Sequence, residues 1–189
     1  MALDSESRWR LVRKAKLKPE AQEGEVIIRS AVITDLGEVL EIYNFYVKNS
    51  AVTFDLEPMT LTEWREKFDW LAGLKMPFLI AESPSGQILG FAYVAPWRAK
   101  AAYRRTVEDS IYLRPAAIGK RVGTKLMREL LTASKAAGVR EIVAVISDRG
   151  ADASIALHKS FGFKSQGHLA KVGYKFERWL GTVLLQKSL

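Results

Sequence analysis

The sequence predicts an α/β domain of the α+β kind, with about seven strands and about four helices in the order β-α-α-β-β-β-α-β-α-β-β. Three observations carry this expectation. Short β-branched runs alternate with stretches of helical periodicity, three strand-like runs follow one another between residues 78 and 113, and no apolar run approaches the ~20 residues that span a bilayer.

Val26, Ile27 and Ile28 read as the first strand. Leu36, Val39, Leu40, Ile42, Tyr43 and Tyr46 then recur at helical spacing from Thr34 to about Asn49, with Thr34 or Asp35 as the cap. Thr60-Leu-Thr-Glu63 is a capping box, in which hydroxyl and carboxylate each satisfy a free N–H, and it opens a helix carrying Trp64, Phe68 and Leu71. Phe78–Ala81, a Pro84-Ser-Gly86 turn and Ile88–Val94 give a strand, turn and strand. After a loop from Pro96 to Ala102, Thr106–Leu113 alternates: Thr106, Glu108, Ser110 and Tyr112 share one face, Val107, Asp109, Ile111 and Leu113 the other. Helical spacing returns at Val122, Leu126, Leu130 and Leu131 and stops at Gly138. Ile142–Ile146 is a buried strand, Ala153–Phe161 a short helix, and strands near 165–174 and 180–186 complete the domain, with His168 in a turn.

The 189 residues, 48% hydrophobic and 26% charged, suit one soluble domain at 25–189 preceded by a basic extension at 1–24. That extension reads as a mobile tail or a short helix around Trp9 and Val12. A net charge of +8 attracts anions without choosing among nucleic acid, acidic membrane and phosphorylated small molecules. The absence of cysteine excludes disulfides, Cys-ligated zinc and a cysteine nucleophile, and His158 and His168 lack zinc-ligand spacing. Neither a signal-peptide h-region nor a membrane span is read, so a cytosolic protein is expected.

The stretch Tyr112-Leu-Arg-Pro-Ala-Ala-Ile-Gly119-Lys-Arg-Val-Gly123-Thr-Lys-Leu126 joins a strand to a helix through a glycine-containing loop. Free N–H groups and the positive end of the helix dipole suit an anion there, although glycines before helices are often turn residues only. Around it stand Ser50-Ala-Val-Thr-Phe54 with Glu57-Pro58, Tyr93-Val-Ala-Pro96-Trp97, Thr106-Val-Glu108-Asp-Ser-Ile-Tyr112, Ser154-Ile-Ala-Leu-His158-Lys-Ser-Phe-Gly162-Phe163 and Val172-Gly-Tyr-Lys175 with Trp179 and Gln186. In these pieces, their order and their separations, residues 26–187 resemble the GNAT superfamily of N-acetyltransferases, and within it the phosphinothricin acetyltransferase-like group.

The resemblance implies a mixed sheet splayed between its fourth and fifth strands, and transfer of the acetyl group of acetyl-CoA to a primary amine. It implies that backbone groups near Ile111 and Leu113 pair with the pantetheine arm. Gly119, Lys120, Arg121, Val122, Gly123 and Thr124 would surround the pyrophosphate, and Ser154 would contribute to the cofactor site. Two departures stand out. Ile118 and Arg121 replace a polar residue and a glycine of the family loop, and Ala151 replaces an asparagine that binds the arm in many relatives. A side chain at Arg121 is tolerated unless its φ is accessible to glycine alone.

By the same resemblance Glu108 is the general base and His158 the acid for the thiolate, or a group that positions pantetheine. Taken without it, Glu108 reads as a solvated carboxylate or a partner of Arg104 or Arg105, and His158 as a packed histidine. Phe54, Arg98, Lys100, Tyr103, Thr106, Val172, Tyr174 and Lys175 fall at positions that line the acceptor site in that group. Lys100 stands where the group keeps an arginine, which weakens two-pronged anion recognition. No metal is implied. A homodimer is expected from the resemblance and from apolar residues in Val52–Met59. The alternatives are an acetyltransferase acting on protein N-termini or polyamines, and a non-catalytic acyl-CoA-sensing or nucleic-acid-binding module.

Overall fold

The structure, a computed structural model, describes residues 25–189, and the extension at 1–24 lies outside the described residues. Its elements follow the predicted order: β1 (Ile27–Ser30), α1 (Leu36–Asn49), α2 (Leu61–Gly73), β2 (Phe78–Glu82), β3 (Ile88–Pro96), β4 (Thr106–Leu113), α3 (Val122–Ala136), β5 (Glu141–Ser147), α4 (Asp152–Ser160), β6 (Lys164–Lys175) and β7 (Arg178–Ser188). The strands form one sheet in the order β1-β2-β3-β4-β5-β7-β6. Every neighbouring pair is antiparallel except β4 and β5.

Alternation along the central strands divides the core into two layers. Phe78, Ile80, Phe91, Tyr93 and Tyr112 pack beneath α1 and α2, where Trp64 is fully buried among Tyr43, Phe78, Phe91 and Tyr93. Leu79, Ala81, Ala92, Val94, Val107 and Ile142 face the other way, against Val122, Leu126, Met127 and Leu130 of α3. Helix α4 lies on this second side through Ile155 and Leu157. Gly90 lets β3 and β4 approach closely, because a Cβ there would lie 2.6 Å from the Tyr112 carbonyl oxygen.

Three local expectations change. Helix α1 begins at Leu36 after a short 3₁₀ turn, and Asp35 does not cap it. Its carboxylate instead accepts from the Val32 N–H at 2.8 Å and from the Arg29 guanidinium at 2.7 and 2.8 Å, an ion pair that is stronger than a neutral cap. His168 lies within β6, not in a turn, and its Nε2 is 3.0 Å from Asp148 Oδ2. The β6–β7 hairpin turns at Phe176 and Glu177, both at positive φ.

The capping box is present as read: Glu63 N–H donates to Thr60 Oγ1 at 3.2 Å and Thr60 N–H to Glu63 Oε2 at 2.6 Å. No helix among the described residues is long and apolar enough to cross a membrane. Thr60→Ala removes the exposed cap without touching the core, and should lower stability by about 1 kcal/mol in urea denaturation with an unchanged m-value.

Candidate active site

The β4–β5 ladder is short. Thr106 pairs with Glu141, Val107 with Ile142 and Glu108 with Val143, and there it ends. Beyond that point β4 remains paired to β3 as far as Leu113 with Gly90, and β5 to β7 as far as Ser147 with Thr182. The two halves of the sheet therefore diverge, as the resemblance implied. The wedge between them is a cavity walled by Asp109–Leu113 of β4, Ala144–Ile146 of β5, Gly123 at the start of α3, and Ala151, Ser154 and His158 at α4. Its walls are largely apolar, and the β4 edge facing it carries backbone groups that β5 no longer pairs. An extended chain with amide groups fits such an edge.

At one end lies the loop into α3. Gly119 has φ +82°, and Arg121 caps the helix at φ 61°, ψ 10°. This is the left-handed region, open to an L-residue at roughly 1–2 kcal/mol, so the replacement of glycine does not disrupt the loop. Ile118 and Gly123 line the cavity, whereas Lys120 and Arg121 are exposed, Val122 is buried in the core and Thr124 is half-buried. Lys125 points elsewhere, to Glu25 at 2.6 Å. The turn from Gly119 into the first N–H groups of α3 suits a pyrophosphate held by backbone, with the exposed cations adding charge. Ala151 lines the wedge and offers only a methyl group there.

Glu108 is half-buried on the α1–α2 face and also reaches the cavity. Burial and then the neighbouring Asp109 push its carboxyl above the usual range, while Arg98 and Lys67 pull against them. Lys67 is a residue that sequence reasoning missed. Its Nζ donates to Tyr93 Oη at 3.0 Å and lies 5.2 and 5.0 Å from the Trp64 and Tyr93 ring centres. Tyr93 is paired with Ser110 and Ala95 with Glu108, so Tyr93 stands diagonal to Glu108 on one face of the sheet.

On the opposite face, His158 and Asp109 form a buried pair, 2% and 8% exposed, with Nε2 2.9 Å from Oδ2. The other ring nitrogen, Nδ1, lies 2.7 Å from the Ser154 carbonyl oxygen and 3.4 Å from Ser154 Oγ. Burial opposes a charged imidazole, but the hydrogen bond and charge of Asp109 outweigh it and raise the His158 pKa. Asp109 was also missed by sequence reasoning. A carboxylate alternating with Val107, Ile111 and Leu113 on the inward face of β4 was the available signal.

The expected acceptor residues fall in two groups, one on the β3–β4 connection and the start of β4, the other where Phe54 meets β6. Arg98 is exposed and stacks over Trp97 at 4.8 Å, close enough to Glu108 to act on its charge. Lys100 and Tyr103 are exposed on a 3₁₀ turn, and Thr106 is half-buried at the start of β4. Phe54 lies flat on Gly173, leaving no room for a Cβ. Val172 and Tyr174 are exposed on the edge strand β6, at 51% and 56%, outside the cavity wall. Lys175 is buried, donates to the Thr53 carbonyl at 2.9 Å, and has its pKa lowered by burial to about 8.

Comparison with known proteins agrees with this geometry. The family model described as an acetyltransferase (GNAT) domain matches residues 28–184. A phosphinothricin N-acetyltransferase of Alcaligenes faecalis is 38% identical over 155 residues, 82% of this chain and 78% of that protein. An L-methionine sulfoximine/L-methionine sulfone acetyltransferase of Pseudomonas aeruginosa is 37% identical over 162 residues, 86% and 94% of the two chains. The crystal structure of a GNAT superfamily phosphinothricin acetyltransferase from Sinorhizobium meliloti in complex with AcCoA superimposes with a TM-score of 0.83 at 39% identity, covering 87% of this chain and 88% of that one. The splayed sheet, the glycine loop and the match along most of the domain have one explanation: the chain belongs to the GNAT acetyltransferase family.

Proposed function

We propose that this chain transfers the acetyl group of acetyl-CoA directly to the primary amine of a small amino-acid-like acceptor of the phosphinothricin, methionine sulfoximine or methionine sulfone type. One observation carries the reading: a half-buried carboxylate and a buried imidazole–carboxylate pair stand on opposite faces of β4 where the sheet opens. The names of the relatives support the acceptor class. A cytosolic location goes with this reading.

In this mechanism the wedge holds the thioester along β4, and the loop from Gly119 to Thr124 holds the pyrophosphate. Glu108 accepts the proton of the attacking amine, directly or through water. Its raised pKa makes it a stronger base than an exposed glutamate. Arg98, with Lys100 and Tyr103 beside it, presents positive and phenolic groups to an acceptor's anionic end. The Asp109–His158 pair lies on the leaving-group side, where the sulfur must gain a proton.

The test is thiol release from acetyl-CoA against a panel of phosphinothricin, methionine sulfoximine, methionine sulfone, common amino acids, polyamines and a peptide N-terminus. Turnover confined to the amino-acid-like members is expected. Turnover confined to peptide or polyamine would transfer the reading to those acceptors, and none at all, with a salt-sensitive shift on DNA or RNA, would replace it with a binding module.

Glu108→Gln keeps the shape but accepts no proton, so turnover should fall about 100-fold with acetyl-CoA binding retained, and should recover in part as pH rises. Lys67→Met removes a charge that holds the Glu108 pKa down. The acid limb of the kcat/KM profile should therefore move to higher pH, since the base must be deprotonated to act.

The reading includes a homodimer. Among the large apolar side chains of Val52–Met59 only Leu56 is exposed, at 64%, so that segment alone gives weak support. Val172, Tyr174 and Trp179 add a larger apolar face on the β6–β7 hairpin, with Tyr174 and Trp179 edge to face at 5.5 Å. Light scattering at micromolar concentration should give twice the mass of the 21.2 kDa chain, and Trp179→Glu should return it to monomer.

A further inference from the structure

The hydrogen bonds around His158 fix where its protons sit. A carbonyl oxygen only accepts, so the 2.7 Å contact with the Ser154 carbonyl puts a hydrogen on Nδ1. A carboxylate also only accepts, so the 2.9 Å contact with Asp109 puts one on Nε2. The ring is thus a doubly protonated imidazolium, and neither N–H points freely into the cavity. Around it, β4 presents Asp109, with Glu108 on the far face of that strand. Helix α4 presents the Ser154 carbonyl and hydroxyl, and the turn before β6 presents the edge of Phe163, its ring centre 4.9 Å away. Asp152 and Lys159 on α4 are exposed.

A proton leaving from Nε2 would strand a lone pair against the Asp109 carboxylate. A proton leaving from Nδ1 keeps the Nε2–H···Oδ2 bond intact, and the hydroxyl 3.4 Å from Nδ1 belongs to Ser154, which lines the wedge. Ser154 and His158 are one helical turn apart on α4, so the Ser154 hydroxyl is within reach of both the ring and the cavity.

We propose that Ser154, His158 and Asp109 form the proton relay to the departing thiolate, with Ser154 at the cavity, His158 as the proton store and Asp109 as a positioning residue behind it. This deepens the proposed acetyl transfer and rests on it. As the N–C bond forms and the C–S bond breaks, the electron pair of the latter goes to sulfur. Ser154 Oγ gives its proton to that sulfur and takes the Nδ1 proton of His158. The imidazole is left neutral, accepting from the Ser154 hydroxyl at Nδ1 and still donating to Asp109. Glu108 meanwhile holds the proton lost by the amine. It releases that proton to solvent, His158 regains one from solvent, and no net proton is consumed when the amine enters neutral. Asp109 Oδ1 is buried and has no hydrogen-bond partner among the described residues, so the carboxylate is committed to the imidazole through Oδ2 alone.

His158 and His168 are the two histidines, so ¹⁵N spectra of a His168→Gln background report His158 alone. An imidazolium that persists above the ordinary histidine range is expected. Ser154→Ala should lower kcat about 10-fold or more, with the KM for acetyl-CoA and the His158 titration unchanged. Asp109→Asn should move the His158 titration and the alkaline limb of kcat to lower pH together. The relay is overturned by a neutral His158 at pH 7, by an unchanged kcat in Ser154→Ala, or by a His158 titration that moves in Asp109→Asn without the kcat limb. Should Asp109→Asn not fold, the spectrum and Ser154→Ala still decide. A wild-type chain that acetylates no amine removes the proposed function and the relay with it, whereas normal wild-type turnover with an unaffected Ser154→Ala removes the relay alone.

Discussion

The parallel ladder between β4 and β5 ends at Glu108 and Val143, and the rest of the molecule is arranged around that ending. A sheet normally continues its pairing because an unpaired buried N–H or C=O costs about 1–3 kcal/mol. Here each half is secured on its outer side, β4 by β3 and β5 by β7, so the seam opens without unravelling either half. The exposed backbone is then satisfied by water or by a ligand that supplies amide groups of its own. Because side chains alternate along β4, opening one seam also brings residues of both faces to a common space. Glu108 and Asp109 are adjacent in sequence and separated by the sheet, yet both touch the wedge.

Several contacts keep the free end of β4 from drifting. Tyr46 Oη donates to the Leu113 carbonyl at 2.6 Å. Arg114 bonds the Ile88 carbonyl at 2.7 Å and reaches Glu38 at 2.7 Å, tying the strand end to β3 and α1. At Gly90 the absence of a side chain lets β3 stay close to Tyr112 and Leu113. The polar pair beneath, Asp109 with His158, ties the same strand to α4 across the opening. A buried ion pair adds little net stability over apolar packing, while losing one partner leaves a charge stranded. Its presence in this position fits a chemical task better than a purely structural one.

The elements were legible because periodicity is a local property. The strict alternation of Thr106–Leu113, the Thr60 capping box and the helical spacing after Val122 each predict their own element. Glu108 and His158 were singled out through resemblance, since nothing local marks a carboxylate or an imidazole as more than a solvated or packed side chain. Asp109 and Lys67 were not, because their significance lies in partners 49 and 26 residues away, His158 and Tyr93. Val172 and Tyr174 were placed by analogy with an acceptor wall, and the sheet order puts them on the outer strand β6, a position that no local pattern in the sequence reveals. The hairpin at Phe176-Glu177 escapes sequence rules altogether: both residues adopt φ values for which turns normally use glycine or asparagine.

Arg121 exchanges conformational ease for charge. Its backbone bears left-handed strain, and in return an exposed guanidinium stands beside Lys120 at the loop end of the wedge, where the pyrophosphate is proposed to bind. Such a pair acts at a distance. It draws a polyanion toward the loop before any contact forms, over a range set by the Debye length of about 8 Å at physiological ionic strength. The capture of acetyl-CoA by this chain should accordingly slow as salt is added, whereas its release, governed by backbone hydrogen bonds and apolar walls, should change little. Stopped-flow rates across a salt series would separate the two, and an association rate indifferent to salt would show that the arginine contributes nothing to encounter.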